Sequence, residues 1–174
     1  MDNQKVLETA GIEEGMVVAD LGCGARGYFA LQTGKMVGKN GLVYAVDILK
    51  PALQSVESIA RLHDIQNIKT VWSDLEVYGA TKIIAESVDF CLLINILFQS
   101  KKQGAIIKEA IRLLKKDARL LVIDWKKTGA PFGPPIEDRI LPEQVKKWTE
   151  EKGLKLEKEF EAGPYHYGLV FKKI

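Results

Sequence analysis

Cysteine is nearly missing from this chain. Cys23 and Cys91 are its two thiols, and neither stands in a CxxC or Cys/His arrangement. A disulfide framework and a thiolate zinc site are thereby excluded, and a reducing, cytoplasmic setting is expected. Long hydrophobic runs are missing too. The longest, residues 90–98, is broken by Asn95 and falls far short of a bilayer's thickness. The opening MDNQKVLETAGIEEG has no basic stretch leading into an apolar one, so it does not read as a signal peptide. Nor is there an excess of one charge: 25 Lys and Arg against 23 Asp and Glu leave +2. That balance gives no strong sign of a protein held on nucleic acid through phosphates. The lysine doublets at 101–102, 115–116, 126–127, 146–147 and 172–173 are interleaved with acids and read as solvated faces. With no repeat, low-complexity tract or second core, residues 1–174 are expected to form one domain.

What is present is an alternation of two apolar periods. Short β-branched runs at 16–21 (MVVADL), 42–47 (LVYAVD), 68–72, 88–94 (VDFCLLI) and 118–125 (ARLLVIDW) read as strands. Between them, helical spacing is expected at 27–37, at 51–63 opened by Pro51, weakly at 81–85, and at 101–115. Residues 126–141 are rich in proline and glycine and fit neither element. A helix from Pro142 to the stop at Gly153 precedes strands at 154–160 and 167–171. Strand–helix alternation implies right-handed crossovers and a parallel sheet. The last two strands share only a short turn and must pair antiparallel. The fold class expected is α/β, Rossmann-like, with helices on both faces.

The strongest local signal is Asp20-Leu-Gly22-Cys-Gly24-Ala-Arg-Gly27, placed between the first strand and the first helix. Glycines there allow a tight turn and close approach to a ligand at the carboxyl ends of the strands. Asp47 ends the second strand, where a carboxylate can accept from both ribose hydroxyls. Asp74 follows the third, within reach of an adenine amino group. Together these describe an adenosine pocket. Gly22, Gly24 and Gly27 also satisfy GxGxxG with Asp47 twenty residues on, the dinucleotide fingerprint. Against it stand Asp20, whose carboxylate repels a pyrophosphate and attracts a cationic sulfonium, the polar partner Asp74, and the antiparallel last strand.

Val17-Val-Ala-Asp-Leu-Gly-Cys-Gly24 resembles motif I of class I methyltransferases, Tyr44-Ala-Val-Asp47 their ribose motif, and Ser73-Asp-Leu75 their adenine motif. The Asn95 region and the ending Tyr165-His-Tyr-Gly-Leu-Val-Phe-Lys172 are similar to small quinone-biosynthesis-like (type 11-like) members. The resemblance spans about residues 16–173 and implies a seven-stranded sheet of order 3-2-1-4-5-7-6 with S-adenosylmethionine as cofactor. Carried onto the matching positions, it implies a donor site of Asp20, Gly22, Cys23, Gly24, Asp47, Ile48, Ser73, Asp74, Leu75 and Asn95. One departure stands out: Ala25-Arg26 puts the third glycine one residue late, which leaves the role of Gly27 open. Arg26 is read as solvent-facing, with the methionine carboxylate as its alternative partner.

The function expected is methyl transfer to an unidentified acceptor, a small molecule being favoured. A nicotinamide-dependent oxidoreductase and a non-catalytic S-adenosylmethionine-binding module are the alternatives. Asn95 interrupts an apolar run at the mouth of the site, where it lines the donor or acceptor or else caps a loop. His166 is the other weak catalytic candidate, able to deprotonate a phenol or amine, yet alternation turns it away from Tyr165 and Tyr167. Asp89 and Asp124 lack the close grouping of a hard-cation site, and no metal is expected. The N-terminal segment and residues 126–141 are expected to cover the acceptor, over a shallow site or one completed by a second copy in a homodimer.

Overall fold

The two apolar periods become two layers of helix around one sheet in the computed structural model, which describes residues 1–174. The strands are β1 (Val17–Leu21), β2 (Leu42–Asp47), β3 (Ile68–Trp72), β4 (Val88–Ile94), β5 (Leu114–Trp125), β6 (Leu154–Glu161) and β7 (His166–Lys173). The helices are α1 (Asn3–Ala10), α2 (Tyr28–Val37), α3 (Lys50–Leu62), α4 (Gln103–Leu113) and α5 (Pro142–Glu150). The sheet runs β3-β2-β1-β4-β5-β7-β6, the order that the resemblance implies. β1 to β5 pair in parallel, and β7 is antiparallel to both β5 and β6. Insertion of β7 between β5 and β6 departs from the second half of a dinucleotide fold. No helix is long and apolar enough to cross a membrane.

β4 shows why its continuous apolar run is needed. Phe90 and Leu92 enter the apolar cluster containing α1 and α2 side chains, whereas Cys91 and Leu93 enter the one under α4. A strand buried on both faces admits no polar alternation.

Three expectations are corrected. No helix forms at residues 81–85, which run as bends and turns. Glu109 of α4 takes over the backbone satisfaction that a helix would provide. Its Oε2 accepts from the Gly79 amide at 2.8 Å and its Oε1 from the Thr81 amide at 3.1 Å. Arg112, paired with Glu109 at 2.7 Å, donates to the carbonyls of Thr81 and Ile83. The second correction is α1. Asp2 caps its start by accepting from the Lys5 amide, and Gly11 ends it at φ 94°. Val6, Leu7 and Ala10 are buried with Leu121, Ile123 and Val170, so this segment belongs to the core rather than to a lid. Third, β5 begins at Leu114, four residues earlier than expected, across a register shift where Asp117 takes φ 63°.

Candidate functional site

Parallel pairing brings the ends of β3, β2, β1 and β4 into one row, and the chain leaves β1 and β4 in different directions along the sheet. Asp74, Asp47, Asp20 and Asn95 therefore stand along one edge, around the crevice where such sheets take ligands.

The glycine loop is fastened from below. The amides of Gly22 and Cys23 both donate to the Val46 carbonyl, at 2.8 and 3.0 Å. Asp47 receives the Gly24 amide on Oδ2 and the Leu49 amide on Oδ1, each at 2.9 Å. A carboxylate fixed by two amides is preorganised for ribose hydroxyls. Gly22 sits at φ 86°, and a Cβ there would lie 2.2 Å from Ile96 Cδ1. Gly22→Ala is expected to cost about 1–3 kcal/mol by strain and overpacking and to push Ile96 off the loop, as denaturant titration would show. The late third glycine has a physical role: at Gly27 (φ 53°) a Cβ would meet Val56 Cγ2 of α3 at 2.8 Å. Arg26 is exposed and bonds the Tyr28 hydroxyl, in keeping with the solvent-facing reading.

Two buried acceptors in the crevice lack partners, Asp20 Oδ2 and Asn95 Oδ1. Asp20 is 2% exposed; burial pushes its carboxyl up to about 7, with Asp47 adding to the rise and the Ala30 amide partly offsetting it. Asn95 holds φ 56°, the left-handed region that asparagine tolerates better than most residues, with its amide on the Ile123 carbonyl at 2.8 Å. Such groups call for an N–H donor or a cation, which the ammonium and sulfonium of S-adenosylmethionine provide and a pyrophosphate does not. The residues present fit that cofactor.

The other predicted positions divide into presenting and supporting side chains. Ile48 is half-exposed, and its carbonyl accepts from the Trp72 indole N–H at 2.8 Å. Asp74 accepts the Glu76 amide on Oδ1 at 2.9 Å, a turn that fixes its carboxylate. Ser73 is fully buried, its hydroxyl 2.9 Å from that of Thr81, so its side chain supports the segment from inside. Leu75 is core. Cys23 is half-buried, and burial, then Asp20 and Asp47, push its thiol far up, which leaves it a protonated packing group. No three His, Cys, Asp or Glu side chains stand together as metal ligands would.

A family profile described as a methyltransferase domain matches residues 12–167. The chain belongs to this family. Its fold is that of the SAM dependent methyltransferase from Aquifex aeolicus, with TM-score 0.91 at 28% identity over 99% of this chain and 90% of the other. A Sulfolobus solfataricus protein described as a type 11 methyltransferase gives 0.70 at 29% identity, over 91% and 84%. The [4+2]-cyclase SpnF gives 0.81 at 15% identity, over 98% and 79%, a likeness of fold alone. No curated protein matches the sequence. This chain is thus a class I S-adenosylmethionine-dependent methyltransferase, as its motif resemblance implies.

Ile96, within the 95–99 segment that follows the fourth strand, covers Gly22. Sequence reasoning missed that Trp125, Phe132 and Arg139 join Tyr165 and His166 at the ends of β5 and β7. Tyr165 precedes β7, so strand alternation does not govern it, and it meets His166's neighbours through Phe132. Tyr167 does turn away, donating its hydroxyl to the Ile140 carbonyl at 3.0 Å. His63 closes α3 as its C-cap.

Proposed function

We propose that this methyltransferase acts on a small organic acceptor, with the donor held by Asp20, Gly22, Gly24, Asp47, Asp74 and Asn95 and shaped by Cys23, Ile48, Ser73 and Leu75. The observation that carries the donor assignment is Asp20 Oδ2, buried and unpartnered beside the glycine loop. S-adenosylmethionine supplies a methyl group already activated on a sulfonium, so the chain's task is to bind, to exclude water and to align. Asp47 orients the ribose through oxygens that are already fixed, and Asp20 holds positive charge. Asn95 lines the passage to the acceptor. The balanced charge supports a small acceptor over naked RNA.

Calorimetric titration with S-adenosylhomocysteine tests the donor assignment. Micromolar binding is expected, with NADH inert. Asp47→Ala should weaken it about 100-fold, the worth of two charge-assisted hydrogen bonds. Full affinity in that variant, or preference for NADH, would remove these residues from the site.

A further inference from the structure

The cluster where β5 ends and β7 begins does more than fasten a loop. Trp125 and His166 are cross-strand partners whose rings lie 4.1 Å apart. Phe132, from the irregular segment 126–141, stands edge-on to Trp125 at 5.9 Å and to Tyr165 at 5.2 Å, and is 57% exposed. Beneath it Arg139 is 4% exposed, 5.4 Å from the Trp125 ring centre. Its guanidinium donates to the carbonyls of Lys126, Thr128, Phe132 and Pro134, and no carboxylate is among its partners. A buried cation held by neutral oxygens alone keeps its charge uncompensated. His166 is 8% exposed, and its buried Nε2 has no partner. Burial, then the N-terminal ammonium, Lys126 and Arg139, hold this imidazole down at about 4, so it is neutral near pH 7. A neutral imidazole carries its proton on one of two nitrogens, and the Nε2–H form is the one that can donate here.

The uncompensated guanidinium asks for an anion, and the unpartnered Nε2 meets one when it carries the imidazole proton. The aromatic surroundings ask for a flat one, and Arg139 over Trp125 leaves that face closed to a cation. Position decides what His166 does. β4 and β7 are separated by β5 alone, so two strand spacings, about 10 Å, lie between the end of β4 and His166. General-base work needs contact within about 3 Å of the reacting proton. His166 therefore grips the far end of a molecule whose near end reaches Asn95.

We infer that Trp125, Phe132, Arg139 and His166 form the anchoring subsite of the methyl acceptor, and that the acceptor is a planar, conjugated carboxylate. The inference rests on the proposed reading of the Asp20–Asn95 crevice as the transfer site. His166 is a binding residue in this arrangement and takes no proton from the acceptor.

The whole chain has two histidines, so the His166 imidazole can be followed by NMR once His63→Gln has assigned the other line. 2-Naphthoate, the neutral 2-naphthamide and the non-planar cyclohexanecarboxylate are titrated into protein with and without S-adenosylhomocysteine. A saturable shift of the His166 line is expected with 2-naphthoate, at least tenfold weaker with the amide and absent with the cyclohexane acid. His166→Phe keeps the ring contact and should lose about tenfold in naphthoate affinity while S-adenosylhomocysteine binds unchanged. Equal affinity for acid and amide overturns the anionic class, and an unmoved His166 line in the wild-type chain overturns the subsite. Failure of S-adenosylhomocysteine to bind would count against the donor reading, and the naphthoate titrations of ligand-free protein would still decide the subsite.

Discussion

Asp20→Asn is expected to raise the stability of the ligand-free protein at pH 8 by about 2–4 kcal/mol, and to weaken S-adenosylmethionine binding about 10- to 100-fold. The carboxyl ordinarily titrates at 3.8 and is held in the fold at about 7. The folded state thus keeps a proton that the unfolded chain gives up. Its contribution is complete below pH 3.8, declines as pH rises, and is lost above about 7. At about 1.36 kcal/mol per pH unit, this reaches roughly 4 kcal/mol at pH 8. Asparagine fills the same space with no proton to lose. Urea unfolding at pH 5 and pH 8 reads the effect as the gap between variant and wild type. That gap should widen with pH; an equal gap at both values would refute it. Taking the gap removes Asp124, raised to about 6, and His166, lowered to about 4, since both proteins carry them. Binding runs the other way, because the ionised carboxylate is the form that holds an ammonium. Wild-type affinity should climb toward pH 7 and then level off, while that of Asp20→Asn stays flat.

Loss of the Glu109 clamp is expected to be costlier than any change in the glycine loop. Glu109→Ala should destabilise the protein by about 3–5 kcal/mol, since it strands the Arg112 charge and two backbone amides. Burial pushes the Glu109 carboxyl up, but Arg112 and the amides of Gly79 and Thr81 outweigh it and hold the group at about 2. The clamp's contribution is then present above pH 4.5 and lost only as pH falls through about 2. Glu109→Leu paired with Arg112→Met should recover much of the loss, because apolar replacement removes both buried charges together. Denaturant midpoints of the single and double variants, at pH 7 and pH 3, make the comparison. Donor affinity should fall with the clamp as well. The segment it restrains begins beside Asp74 and is also tied to the 95–102 loop by Glu76, which accepts from Ser100 and pairs with Lys102.

That clamp marks where reading from sequence stops. β2, β3 and β4 were legible to the residue, because β-branched runs end sharply at glycine, acid or asparagine. Residues 81–85 misled, since a short apolar stretch between strands has helical composition whether or not a distant glutamate satisfies its amides. The helix α1 went unseen because eight residues carry little periodicity, though Asp2 and Gly11 are proper caps. In the proposed site, the acids and glycines stand where loop position puts them, at the carboxyl ends of the strands. Arg139 was not legible: nothing in a proline-rich loop tells a buried arginine from a solvated one until four carbonyls turn toward it. Ser73 was legible as a position but not as a direction, because its partner Thr81 lies across a turn.

The placement of β7 between β5 and β6 also governs the order in which the sheet can be completed during synthesis. β6 leaves the ribosome before the strand that joins it to the rest of the sheet. At about 5–20 residues per second it waits on the order of a second without a partner. Through that interval its backbone is an open edge, the kind that recruits other chains. Lys155, Glu157, Lys158 and Glu159 crowd that strand with charges of both signs. These oppose such recruitment before residues 166–173 arrive, and afterwards on the outer edge that β6 keeps in the finished sheet.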